Sequence, residues 1–270
     1  MTDCEKLSAL YNAYVDGYRG PDGALPEMME LKLRHTERVV ANANAIAAAE
    51  KFSPLEKTAA ESAALLHDTG RYEQLRLYGT FRDSESIDHA EFSYETVVEK
   101  GWLGGWDEKL RDTVLAAVRY HNKRDLPPGL DPFTEKISHV VRDADKLDIF
   151  NVLEERVNSC GGNLESSAFW GLRPAERPSA EVVEAILAGR PVDYNLIRSL
   201  ADFTLVQVGW MVSGLHFAES RRLCAARGHL DFREKFLLGI TGPSGRDDIA
   251  ATCSAARSAL AAAASGNQGK

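Results

Sequence analysis

An all-α fold is what this sequence predicts. Three observations carry it. Capping residues followed by apolar side chains at one-turn spacing recur along the chain. The stretches between them are rich in Gly, Pro and Asp. No alternation of apolar and polar residues runs far enough to require a sheet, and no internal repeat is visible.

Taken in order, Glu27 to Glu50 reads as a helix, with Leu31, His35, Val39 and Ala43 about one turn apart, so His35 projects inward with the apolar face. Ser53-Pro54-Leu55-Glu56 is a second start: a cap, a proline at the first helical position and a Glu three residues after the cap. Leu55, Ala59, Ala63, Leu66 and His67 continue that helix, and Gly70 is expected to end it, which puts His67 and Asp68 where a helix meets a loop. Tyr78 to Ser84 reads as irregular, and another helix begins around Asp88 and His89. Asp107 caps a helix with Leu110, Val114, Ala117 and His121 on one face. After the loop Leu126-Pro127-Pro128-Gly129-Leu130, Asp131 and Pro132 open a helix that carries Phe133, Ile137, Val141, Ala144 and Asp145.

Beyond a break between Cys160 and Pro178 the pattern stays helical. Ser179 is expected to cap a short helix, Asp193 to Arg227 to form one long helix, and the alanine-rich Ala250 to Ala264 another. The apolar run Phe203 to Phe217 is shorter than a bilayer span and is interrupted by Gln207 and His216, so a buried core helix is expected there. The expected organisation is a core with an N-terminal helix over 1–160, a helical extension packed on it over 161–264, and a disordered tail at 265–270.

With 270 residues, 44% hydrophobic and 27% charged, the chain has the composition of an ordinary globular protein. A formal net charge of -8 argues against a broad cationic face for duplex nucleic acid. It leaves room for a small anion, because bound divalent cations supply positive charge locally. Cys4, Cys160, Cys224 and Cys253 are scattered and are expected to be free thiols in a reducing compartment. The first residues lack the pattern of a secretory signal, so a cytoplasmic location is expected, without a membrane partner. The sequence leaves a homo-oligomer open.

The most informative residues are His67 and Asp68, adjacent in Leu65-Leu66-His67-Asp68-Thr69-Gly70-Arg71. Imidazole beside carboxylate suits a borderline divalent metal, and a carboxylate has two oxygens with which to bridge to a second ion. His35 lies upstream; His89, in Ser86-Ile87-Asp88-His89-Ala90, then His121 and Asp145, in Asp143-Ala144-Asp145-Lys146-Leu147-Asp148, lie downstream. In order and local context this series resembles the HD superfamily of metal-dependent phosphohydrolases, over roughly Arg34 to Phe150.

That resemblance implies an HD-domain helical bundle in which His35, His67, Asp68 and Asp145 hold one metal while Asp68 bridges to a second held by His89 and His121. One or two divalent transition ions are implied, with manganese, iron, cobalt, nickel and zinc all compatible with mixed imidazole and carboxylate ligands. Some two-metal members have a second His after the one matching His121; Asn122 stands there instead. Asp143 competes with Asp145 as the last ligand, and the Ala-Asp-Lys-Leu context favours Asp145. Asp143 and Asp148 are candidates to orient ligands or to contact substrate.

The implied activity is hydrolysis of a nucleotide, cyclic nucleotide or other small phosphate ester by metal-activated water, with Asp68, Arg71 and Lys146 in catalytic roles. Arg71, Gln74, Arg142 and Lys146 are the substrate-binding candidates; Arg71 either meets phosphate or pairs with Glu73 or Asp83. Two other readings stay open: an HD-type di-iron oxygenase, and a nucleotide-sensing module without turnover. No Gly-rich phosphate loop and no nucleophilic Ser or Cys arrangement is evident.

Overall fold

In the computed structural model, which describes residues 2–164, 169 and 171–265, the described residues contain helices and turns and no strand. The all-α prediction holds. The expected tail lies outside the described residues except for Ser265, which closes the last helix.

The chain forms two compact units, Met1–Asp145 and Lys146–Lys270. The first contains α1 (Asp3–Asp16), α2 (Glu27–Ala49), α3 (Pro54–Leu66), α4 (Gly70–Tyr78), α5 (His89–Lys100), α6 (Glu108–Tyr120) and the start of α7 (Pro132–Ser159). The second contains the rest of α7, then α8 (Ala180–Leu187), α9 (Leu200–Gly209), α10 (Ala218–Ala226), α11 (His229–Ile240) and α12 (Arg246–Ser265). Among the described residues no helix is long and apolar enough to cross a membrane, and the four cysteines are free.

In the first unit, helix starts fall where the caps are. Thr2 with Glu5 and Ser53 with Glu56 form reciprocal capping boxes that satisfy orphan N–H groups of α1 and α3. Asp88, Asp107 and Asp131 accept from the first backbone amides of α5, α6 and α7. Helix α3 packs on α2, α6 and α1, and α5 packs on α4 and α6. Helix α2 contributes Ala43 and Ala47, and α3 Ala59, Ala60 and Ala63, to the fully buried core, and small buried residues of this kind let packed helices approach closely. Leu66, also fully buried, contributes roughly 2 kcal/mol by leaving water.

Two expectations are corrected. Gly70 does not end a helix in a loop; His67, Asp68 and Thr69 form a tight turn of right-handed helical conformation, and Gly70 opens α4. The span Asp193 to Arg227 is not one helix. Asp193 caps a short 3-10 turn, Ser199 caps α9, and α9 runs into a π turn over Trp210–Gly214, after which Leu215 is extended. The Trp210 side chain lies against the Cα of Gly214, where a Cβ would sit 3.1 Å from Trp210 Cβ. The α9 part of the apolar run is buried, every residue of α9 except Phe203 being inaccessible or nearly so, whereas Ser213 and His216 in the rest of the run are exposed. Gly209 lies against Ile186 of α8.

Ser179 precedes α8 as expected but makes no side-chain cap. Its hydroxyl donates to Asp202 Oδ2 (2.9 Å) and its N–H to Oδ1 (2.7 Å), so the buried Asp202 carboxylate ties the start of α8 to that of α9.

Candidate metal centre

All six residues of the sequence-derived ligand set lie in the first unit; five helices, α2, α3, α5, α6 and α7, and the turn bearing Asp68 present them. His67 and His121 are the C-cap residues of α3 and α6. A helix ends with unpaired carbonyls, and each imidazole uses one three residues back: His67 Nδ1 donates to Ala64 O (2.7 Å) and His121 Nδ1 to Val118 O (2.8 Å). Since a carbonyl only accepts, the proton is on Nδ1 and each Nε2 turns inward as a lone pair. His89 is the first residue of α5; its Nδ1 is hydrogen-bonded to Asp83 Oδ2, which fixes the same tautomer. His35 projects from the middle of α2, and Asp145 from α7 beside Ala144, whose carbonyl accepts from Asn42 of α2 (3.1 Å). The turn bearing Asp68 is braced by Thr69, whose hydroxyl donates to Leu66 O, and by Tyr14 of α1, which donates to Thr69 O.

The inward atoms fall into two groups that share Asp68. His35 Nε2 is 3.2 Å from His67 Nε2, 3.2 Å from Asp145 Oδ1 and 3.5 Å from Asp68 Oδ2, and His67 Nε2 is 3.5 Å from the same Asp68 oxygen. On the other side, His89 Nε2 and His121 Nε2 are 3.1 Å apart and lie 3.6 and 3.8 Å from Asp68 Oδ1. Ligands about 2.1 Å from one cation are separated from each other by roughly 3.0 to 3.5 Å; the first group is close to that size apart from 3.9 Å between His67 Nε2 and Asp145 Oδ1, and the second is wider on its Asp68 side.

Chemistry supports that fit more strongly than size does. With their Nδ1 protons committed elsewhere, His89 and His121 face each other lone pair to lone pair, and both face a carboxylate oxygen. Asp68 Oδ1 is buried without a hydrogen-bond partner, an arrangement that is costly unless an electrophile sits among the acceptors. Burial pushes the His121 imidazole down to about 3, with His89 and His67 beside it adding to the effect. His89 is lowered too, by burial first and then by Arg71. Neutral imidazole is the metal-binding form. Burial alone would raise Asp68, but Lys32, His67 and Arg71 outweigh it and hold the carboxyl well below the usual range. Asp145 is likewise lowered, because its contacts to His35 and His67 overcome its burial.

Gly70 explains how α5 comes near enough to deliver His89. A Cβ at this position would stand 2.6 Å from Ser93 N and 2.8 Å from Phe92 C, both backbone atoms of α5, and the Gly70 N–H donates to Ser93 Oγ (2.9 Å). For Gly70→Ala, better helix propensity adds at most about 1 kcal/mol, while a clash with backbone costs about 1–3 kcal/mol and displaces α5. The variant is expected to be less stable and to bind fewer metal equivalents than the parent; a urea midpoint and metal stoichiometry equal to the parent's would refute this account.

The anion-binding candidates are less exposed than their residue types suggest. Arg71 Nη1 donates to Gln74 Oε1, Phe81 O and Asp83 Oδ1, and the guanidinium pairs with Asp83 rather than Glu73, which pairs with Arg76. Its Nε is buried, without a hydrogen bond, 3.5 Å from Asp68 Oδ1. Gln74 is fully buried and donates to Asp83, Ser86 and Ile87, bracing the loop before α5. Arg142 donates to the carbonyls of Tyr120, Lys123 and Arg124 and so fastens the turn that follows His121. Lys146 follows Asp145 in α7 and is the first residue of the second unit.

Three residues at the site gave little sequence signal. Lys32 Nζ lies 2.7 Å from Asp68 Oδ2; its one clue is a position three residues before His35. Asp83 orients His89 and Arg71 from a loop without periodicity. Asn122 donates to Asp88 Oδ1 (2.9 Å) and lies 3.4 Å from His89 Nδ1, behind that ring rather than among the inward-facing atoms.

Residues 33–151 match the family model described as the HD domain. The chain carries an HD domain. All six residues of the cluster fall within the matched segment; HD domains bind divalent metals, and His and Asp side chains here cluster closely enough to hold one, as His35, His67 and Asp145 do and as His67, Asp68 and His121 do. No curated protein and no solved structure matches the chain.

Proposed function

We propose that this HD domain hydrolyses a phosphate ester of a nucleotide, cyclic nucleotide or other small metabolite. The observation that carries the reading is the orphaned Asp68 Oδ1, facing the lone pairs of His89 and His121 while Oδ2 serves a separate group of donors. His35, His67, Asp145 and Asp68 Oδ2 would hold one divalent cation, and His89, His121 and Asp68 Oδ1 a second. Two such cations would supply a water of lowered pKa and a Lewis acid for the phosphoryl oxygens.

The protein residues around them set orientation. The carbonyls of Ala64 and Val118 and the Asp83 carboxylate lock three imidazoles in one tautomer, so the donors need no rearrangement on binding. Arg71 places positive charge beside Asp68, held by Gln74 and Asp83. Arg142 fixes the turn after His121.

The test is product formation from panels of nucleotides, cyclic dinucleotides and sugar phosphates by manganese-loaded protein, followed by phosphorus NMR. Release of phosphate or a phosphomonoester from one class supports the reading and names the substrate class. No product despite verified metal loading overturns it; oxygen uptake by the iron-loaded protein would then assign the site to oxidation, for which the same donors are suited.

A further inference from the structure

The tightest contact to Asp68 is made by Lys32. Its Nζ lies 2.7 Å from Oδ2, the oxygen that His35 and His67 also face. Lys32 sits one turn before His35 on α2, so the same helix face presents both. Asp68 is its ion-pair partner and its hydrogen-bond acceptor. The ammonium also lies 5.7 Å from the centre of the Phe81 ring, against which Arg71 sits at 5.6 Å from the opposite flank of Asp68. The two cations differ in freedom. Arg71 is fastened through Nη1 to three acceptors. Lys32 has three donors on a flexible four-carbon stem and one carboxylate oxygen to bind.

Resting on the reading of this cluster as a metal-dependent phosphohydrolase site, we propose that Lys32 binds a phosphoryl oxygen of the substrate and that Asp68 holds its ammonium in reserve until a divalent cation takes Oδ2. An ammonium and a divalent cation cannot share one carboxylate oxygen without strong repulsion in a buried site. The mobile partner, Lys32, is the one that leaves. With its stem anchored beside His35, its ammonium stays at the rim of the cluster, and a substrate oxygen there replaces the acceptor it has lost. Lys32 therefore opposes metal binding in the free protein and supports anion binding in the loaded one.

The experiment is calorimetric titration of Mn2+ into the full chain, then of inorganic phosphate into the Mn2+-loaded protein, for the parent, Lys32→Met and Lys32→Arg, with thermal melts to verify folding. A charge-assisted hydrogen bond corresponds to about tenfold or more in affinity. Lys32→Met is expected to bind Mn2+ about tenfold more tightly and phosphate about tenfold more weakly, and Lys32→Arg to keep phosphate affinity near that of the parent. Mn2+ affinity unchanged or weakened in Lys32→Met overturns the competition at Asp68, and unchanged phosphate affinity overturns the anion contact. If the loaded parent binds no phosphate, the anion contact falls together with the phosphohydrolase reading; if the parent binds it and Lys32→Met binds it equally well, only the present inference falls.

Discussion

Asp68→Asn is expected to lose both metal ions rather than one. Asp68 is the residue common to the two donor groups, with Oδ2 among His35, His67 and Lys32 and Oδ1 facing His89 and His121. The amide keeps the shape but cancels the negative charge and turns one acceptor into a donor, which then points at imidazole lone pairs or at the Lys32 ammonium. Changing a residue that merely orients a metal ligand costs about 10–100-fold in affinity or activity, so removing a shared ligand should cost more than about 100-fold at each position. The measurement is metal content and Mn2+ affinity alongside hydrolysis, with circular dichroism to show that the fold persists. Retention of two equivalents at parental affinity would show that Asp68 is not the bridge.

The second large effect concerns stability and lies in the other unit. Arg233→Ala should destabilise it by about 3–5 kcal/mol, the usual penalty for breaking a buried ion pair from one side. Arg233 has no exposed surface, and its guanidinium donates to Glu154 Oε1, Gln207 Oε1, Phe150 O and His229 O, all within 2.8–3.0 Å, while lying over the Phe150 ring at 4.5 Å. Removing it strands these acceptors and leaves a cavity. Burial alone would raise the Glu154 carboxyl; His229 and Arg233 hold it below the ordinary range, and the variant loses the Arg233 part of that support. Whole domains are stable by only about 5–15 kcal/mol, so the loss is a large fraction of the total. Urea denaturation reads it, and the double variant Arg233→Met with Glu154→Gln should recover part of the loss, because charge and counter-charge leave together. A parental midpoint for Arg233→Ala would show that neither the network nor its packing contributes to stability.

Much of the candidate site was legible because the residues it brings together sit at features that sequence marks well. His67 and His121 end helices whose starts are signalled by Ser53-Pro54 and Asp107, and Asp88 announces the helix that begins with His89. Apolar spacing placed His35 and Asp145 on inward faces. Lys32 was not legible, since a lysine on a helix ordinarily faces solvent and only the fold shows the Asp68 oxygen opposite it. Gly70 misled, because glycine signals both helix termination and close approach, and the deciding contact comes from α5, more than twenty residues away. The single helix expected over Asp193 to Arg227 failed for a different reason. Its apolar content is real, but Ser199 caps α9 by accepting from Asp202 N, and Gly214, against the Trp210 side chain, closes a π turn before extended Leu215, local breaks that apolar periodicity alone passes over.

The loop before α5 has a mechanical property that follows from Asp83. One of its oxygens accepts from Arg71 and Gln74, and the other holds the His89 ring. The carboxyl is kept ionised against its burial chiefly by His89. Swinging this segment outward would therefore release the imidazole and the guanidinium in one movement. The position of this loop and the integrity of the second donor group are a single degree of freedom.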